Sequence, residues 1–165
     1  MGNLKVVIFQ FSKISDISSW KVLGDSVMGG RSNGTFKLNE NGNGVYTGKV
    51  SLENNGGFSI LKHKFDKINV LGFSKIIFKI KGDGKNYQFR IKDSSDNSHS
   101  YVKSFETNGD IELIEVGMNS MYPTFRGRNL DKPNFSSNTI EEVAILIGNK
   151  KEENFQLEIV EIYLQ

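Results

Sequence analysis

The chain has 165 residues, no cysteine and a formal net charge of +2. That length suits one domain with one hydrophobic core, and the missing thiols exclude disulfides, thiolate metal centres and cysteine nucleophiles. Lysines and acids are interspersed without a basic block, which argues against a dedicated nucleic-acid binder.

The N-terminal stretch MGNLKVVIFQF is too short in its apolar part for a signal peptide. Val6 stands where a myristoylation signal wants Ser or Thr. No apolar run approaches the roughly 18 residues that span a bilayer. A soluble, cytoplasmic protein without direct membrane insertion is therefore expected.

Ala occurs once, at Ala144, whereas Gly occurs 17 times and Phe 12 times. So few helix formers among so many turn residues predict a β architecture. In chain order, Val6 to Phe9 reads as a strand and Ser12 to Ser19 as a short helical turn. The stretch WKVLGDSVMGGRSNG, Trp20 to Gly34, is too rich in glycine and polar groups to be ordinary scaffold. It lacks the lysine and following helix of a phosphate loop, so its glycines read as turns. Gly42 to Gly48 likewise has the wrong spacing for a dinucleotide loop and enters a strand, Val45 to Leu52.

Strands follow at Phe58 to Phe65, Ile76 to Ile80 and Tyr87 to Ile91. The last two alternate and flank Gly82-Asp83-Gly84-Lys85, which predicts a hairpin. His63 sits among lysines and reads as a surface residue. The loop DSSDNS, Asp93 to Ser98, is rich in oxygen ligands but lacks the loop Gly and terminal Glu of a calcium hand. A solvated hairpin is the better reading there, with a structural calcium ion as the alternative. No cofactor and no catalytic metal are expected.

Tyr101 to Phe105 and Ile111 to Val116 are the next strands, then the loop YPTFRGR, Tyr122 to Arg128. A helical turn at Asn138 to Glu142 leads into Val143 to Ile147. In the closing strand, Phe155 to Leu164, the apolar phase changes after Ile159, the mark of a bulge or of burial on both faces. Nine or so strands in one domain spanning 1–165 predict an all-β fold, a two-sheet antiparallel sandwich of jelly-roll type.

No nucleophile elbow or triad context is present. Lys outnumbers Arg, and only Arg31, Arg90, Arg126 and Arg128 occur. Where Lys is the default cation, a surviving Arg marks a place for a planar, bidentate donor. The candidate ligand or partner residues are Trp20, Asp25, Arg31, Ser32, Asn55, Asp83, Tyr87, Tyr122, Arg126 and Arg128. They form a polar surface if their loops meet. Alternatively, Asp25 or Asp83 neutralises Arg31 or Arg126 in a structural pair, while Met28 and Trp20 pack inward.

These clusters carry a resemblance. The pattern W..V.D.VMGG.S.G stands as Trp20, Val22, Asp25, Val27-Met28-Gly29-Gly30, Ser32 and Gly34. It is followed by Asn55-Gly56-Gly57-Phe58, Gly82-Asp83-Gly84 with Tyr87, and Pro123-Thr124-Phe125-Arg126-Gly127. The chain closes on Phe155, Leu157-Glu158-Ile159 and Ile162. Order and spacing resemble the complex I intermediate-associated protein 30 family, which assists assembly of NADH:ubiquinone oxidoreductase. The resemblance implies a galactose-binding-like jelly roll and a non-catalytic role holding protein partners, respiratory-complex subunits among them. Two other classes compete: a carbohydrate-binding module stacking a sugar on Trp20, Tyr87 or Tyr122, and an enzyme on a carbohydrate or nucleotide substrate.

Overall fold

The computed structural model describes residues 5–25 and 29–165, the side chain of Asn55 apart. Met28 therefore lies outside the described residues. Among the described residues, alternating and apolar runs become thirteen strands. They are β1 (Val6–Gln10), β2 (Trp20–Gly24), β3 (Asn33–Leu38), β4 (Gly44–Val50), β5 (Ser59–Asn69) and β6 (Lys75–Lys81). There follow β7 (Asn86–Lys92), β8 (Ser100–Glu106), β9 (Ile111–Gly117), β10 (Tyr122–Phe125), β11 (Arg128–Asn129), β12 (Thr139–Ile147) and β13 (Glu153–Leu164).

A six-stranded sheet runs β3-β4-β13-β6-β9, with β1 also on β13, and a seven-stranded sheet runs β11-β10-β8-β7-β12-β5-β2. The pairings are antiparallel, and the fold is a β-sandwich of the galactose-binding-like jelly-roll type. The core is a layer of side chains from both inner faces. Phe78 of one sheet meets Phe89 of the other at 4.7 Å between ring centroids. Tyr46, Leu61, Ile80 and Ile145 surround them, each almost wholly buried.

The phase change in β13 is a bulge, since the register with β6 shifts between Ile159 and Glu161. Before it β13 pairs with β4, from Glu153 to Ile159; beyond it the strand pairs with β1, from Glu161 to Leu164. A single long strand thus serves two partners in tandem.

Three expectations are corrected. The Gly82–Lys85 turn is not a hairpin, because β6 and β7 lie in different sheets. Alternation reports which face of each run is apolar; it does not report whether the two runs share a sheet. The turn is held from outside itself: the Thr107 hydroxyl accepts from the Gly84 amide at 3.0 Å and donates to the Lys85 carbonyl at 2.8 Å. Gly82 is required because the Thr107 side chain occupies the space of a β-carbon there. Secondly, 12–19 is turns and irregular chain and 139–142 is strand, so neither is helical. Thirdly, β2, β10 and the start of β11 are strands that the sequence read as loop, and β3 is a strand of which it placed only the first two residues, in the Trp20 to Gly34 loop.

The register gathers the loops at two ends. Ile147 and Gly24 pair with Ser59, and Glu106 with Asn86. That places Asp25, 29–32, 51–58, 82–85, 107–110 and 148–152 at one end of the sandwich.

Candidate functional site

The signature loop is organised around one carboxylate. Asp25 follows β2, and its side chain is wholly buried. Oδ2 accepts from the Ser32 hydroxyl at 2.6 Å and from the amides of Gly57 at 2.6 Å and Phe58 at 3.2 Å. Oδ1 accepts from the Ser32 amide at 3.0 Å. The Ser32 hydroxyl in turn accepts from the Ser51 amide at 2.9 Å. Burial pushes the Asp25 carboxyl up, but the bonds from Ser32, Gly57 and Phe58 outweigh it and hold the group below its ordinary range. The carboxylate thus ties the turn after β2 to the loop before β5.

The glycines follow from the same packing. A β-carbon on Gly30 would collide with the Asp25 carboxyl, and one on Gly56 would press on Asp25 Oδ2. Gly30→Ala is expected to cost about 1–3 kcal/mol by overpacking, read as a lower urea midpoint at pH 7.

The predicted ion pairs do not form among the described residues. Asp25 is bonded to Ser32 and backbone rather than to an arginine, and Arg31 is exposed. Asp83 accepts from the Lys85 amide at 3.1 Å, the Tyr87 hydroxyl at 3.0 Å and the Gln156 amide at 2.7 Å. It fastens the inter-sheet turn to β13. Tyr87 is 1% exposed, and burial with the adjacent Asp83 pushes its hydroxyl pKa strongly up. The loops do not all meet either. Tyr122 pairs with Val102 and Thr124 with Ser100, so Arg126 and Arg128 lie at the end of the sandwich opposite Asp25. The side chain of Asn55 lies outside the described residues.

His63 is buried, not at the surface. Its ring stacks on Trp20 at 4.4 Å and meets Phe9 edge-on at 5.2 Å, inside a cluster with Phe11 and Phe36. Its pairing with Val143 of the inner face explains why: the neighbouring lysines point the other way. Burial lowers its pKa below the ordinary 6.5, with a contact to Ser19 opposing. The unfolded chain then takes up the proton more readily. Stability is full above 6.5 and falls as the pH drops below it. The urea midpoint of the natural chain should decline between pH 7.5 and 5.5 more steeply than that of His63→Phe.

A second polar arrangement was not predicted. With Phe89, Ile91, Val143, Ile145 and Leu61 in the core, their neighbours occupy the outer face of the seven-stranded sheet. The register aligns one row as Tyr122, Val102, Arg90, Ala144, Lys62 and Lys21. Lys92, Glu142 and Lys64 form the row on one side. Ser104, Gln88, Leu146, Ile60 and Leu23 form the row on the other.

Arg90 is the centre of this face. Burial lowers its pKa, with Glu142 and Tyr122 opposing, though a guanidinium stays charged at any ordinary pH. Its Nη1 donates to Gln88 Oε1 at 3.1 Å, the one hydrogen bond its guanidinium makes among the described residues. Lys92 is lowered chiefly by burial, with Lys62, Lys64 and Arg90 adding repulsion against the attraction of Glu142. The third row opens into a cavity of about 520 Å³ lined also by Asn86, Glu106 and Asn149. The scarcity of arginine was the signal that could have found this site, but Arg90 sits mid-strand, where its neighbours in the sheet are not adjacent in sequence.

Among the described residues no group of three or more His, Asp or Glu side chains could hold a metal ion. In the 93–98 loop, which joins the β7–β8 hairpin, Asp93 accepts from the Ser94 amide, Asn97 and Ser137. That carboxylate is committed within the fold. No helix among the described residues is long and apolar enough to cross a membrane.

The sequence model of the family described as complex I intermediate-associated protein 30 matches residues 9–159. No protein of curated function matches the sequence. Solved structures with the same fold include a family 11 carbohydrate-binding module from Clostridium thermocellum in complex with a beta-1,3-1,4-mixed-linked tetrasaccharide. It is 15% identical, with a TM-score of 0.70, over 94% of this chain and 93% of that one. The family 11 module of the cellulosomal cellulase Lic26A-Cel5E from the same organism is 14% identical, with a TM-score of 0.73, over 99% and 95%. A family 29 carbohydrate-binding module is 9% identical, with a TM-score of 0.58, over 99% and 92%. At these identities the likeness is one of fold.

Proposed function

The chain belongs to the complex I intermediate-associated protein 30 family, and on that premise we propose that it is a non-catalytic binding module that holds a protein partner during assembly of a respiratory NADH dehydrogenase. The outer face of the seven-stranded sheet is the contact surface in this reading. The observation that carries it is the character of that face: a half-buried Arg90 among lysines, where a sugar-stacking module would present aromatic rings. Trp20 and Tyr87, the rings first considered for stacking, are core residues at 6% and 1% exposure.

The site chemistry also speaks against catalysis. Ser19 Oγ lies 3.1 Å from His63 Nδ1, a hydroxyl beside an imidazole. Yet that ring is stacked into an aromatic cluster, and among the described residues no carboxylate orients it.

Carbohydrate binding remains the second reading. It is favoured by the shared fold of the family 11 and family 29 modules and by Tyr122, half-buried in the same row as Arg90. Cross-linked capture from the native host, run beside titration with mixed-linked β-glucan oligosaccharide, separates the two. The expected result is respiratory-complex subunits in the captured material and no heat or chemical shift from the oligosaccharide. Saturable binding of the oligosaccharide at Tyr122 and Arg90, with no protein captured, would replace the first reading by the second.

A further inference from the structure

Resting on that reading, we infer that the partner offers an acidic surface, and that Arg90 is the residue which anchors one of its carboxylates. Three observations converge. The register sets Arg90, Lys62 and Lys21 in one row with Lys92 and Lys64 beside it, around a single acid, Glu142. Arg90 has lost hydration to burial but is matched by one hydrogen bond to Gln88 among the described residues. Arg90 is half-buried, and none of its guanidinium nitrogens is among the sealed, partnerless polar atoms of the described residues, so its unbonded donors keep contact with solvent.

A partly desolvated planar fork with unbonded donors fits a carboxylate bidentately, and the reduced hydration leaves less to strip away on binding. The six strands from β10 to β2 span about 24 Å at the usual strand spacing. That is wide enough to seat a partner helix, about 10–12 Å across with its side chains.

Glu142 argues for discrete carboxylates over a phosphate chain. It is 3% exposed and sits between Lys92 and Lys64. A continuous polyanion laid across the row would run onto it, whereas spaced Asp and Glu side chains straddle it. The face also lacks the series of exposed aromatics on which single-stranded bases stack. The two rows carry five cations and one acid, a net +4 against +2 for the whole chain, so the cationic field is concentrated there.

The test uses the full chain, isotopically labelled, titrated separately with a short neutral-spaced peptide carrying Glu at every third position, poly-lysine, oligogalacturonate and single-stranded oligo-dT. The spaced-glutamate peptide should move the amides of Gln88, Arg90, Lys62 and Ala144. Its affinity should fall at least tenfold in Arg90→Gln, and it should weaken as salt is raised. Lys62→Glu repeats the reading at a second position of the row should Arg90→Gln unfold, and thermal melts check both. No shift on this face, shifts elsewhere, or a response confined to galacturonate or oligo-dT overturns the inference. The two proposals fail differently. If a cross-linked protein partner is retained undiminished by Arg90→Gln at low and high salt, the module reading stands and the acidic-partner inference falls.

Discussion

Asp25→Ala is expected to be among the most damaging single changes in the chain, lowering stability by about 3–5 kcal/mol, the range for breaking a buried, hydrogen-bonded charge network. The reason is the count of donors left behind. The Ser32 amide and hydroxyl and the Gly57 and Phe58 amides all point at this carboxylate. Removing it strands them at a junction that closes one end of the sandwich. Asp25→Asn should cost less, about 1–3 kcal/mol, because one oxygen survives while the new amide faces the Ser32 amide, donor against donor.

The pH dependence has a definite sign. Because the folded carboxyl sits below the ordinary 3.8, its stabilisation is complete above that value and is lost as pH falls beneath it. Asp25→Asn should lack that acid-limb loss. Urea denaturation at pH 7 and again near pH 3 measures both effects. Arg31→Ala, on an exposed neighbour, should stay within about 0.5 kcal/mol of the natural chain. If Arg31→Ala were as harmful as Asp25→Ala, the ion-pair account of the signature would return.

The second large effect is expected at Trp20. Its ring lies within 5.4 Å, centroid to centroid, of Phe9, Phe11, Phe36 and His63. Trp20→Ala should cost about 3–5 kcal/mol, the usual range for emptying an aromatic site in a core. Trp20→Phe should cost under about 2 kcal/mol. Phe keeps most of the stacking, and it removes an indole Nε1 that is buried without a hydrogen-bond partner among the described residues. Denaturation midpoints decide it, with partner capture as the control. Trp20→Phe that binds normally places the residue in the scaffold; lost binding at unchanged stability would make Trp20 a contact residue and undo the assignment of the site to the outer face.

Much of the architecture was legible in the chain because strand periodicity is local. Ile76, Phe78 and Ile80 share one face with Lys79 and Lys81 opposite, and the structure buries those three wholly. The break in phase after Ile159 announced a bulge, and the register shifts there. The importance of Asp25, Ser32 and the neighbouring glycines was visible too, since such residue types recur where a chain turns tightly around a polar group. Their role was not visible. Asp25 and Gly57 are 32 positions apart, and only the folded chain brings the amide to the carboxylate.

Two features needed the tertiary structure. The Gly82–Lys85 turn looks like a hairpin in sequence, because a tight turn between alternating runs is compatible with one sheet or two. Which holds is decided by whether Phe78 and Phe89 sit side by side or face each other across the core, and they face. The basic face was hidden for a related reason. Lys21, Lys62 and Arg90 are dispersed along the chain and read as interspersed charge. Each strand's alternation sends its cation outward, yet only the pairing register sets them in one row. Periodicity is a property of a single strand and survives in the sequence; register belongs to pairs of strands distant along the chain, and folding alone creates it.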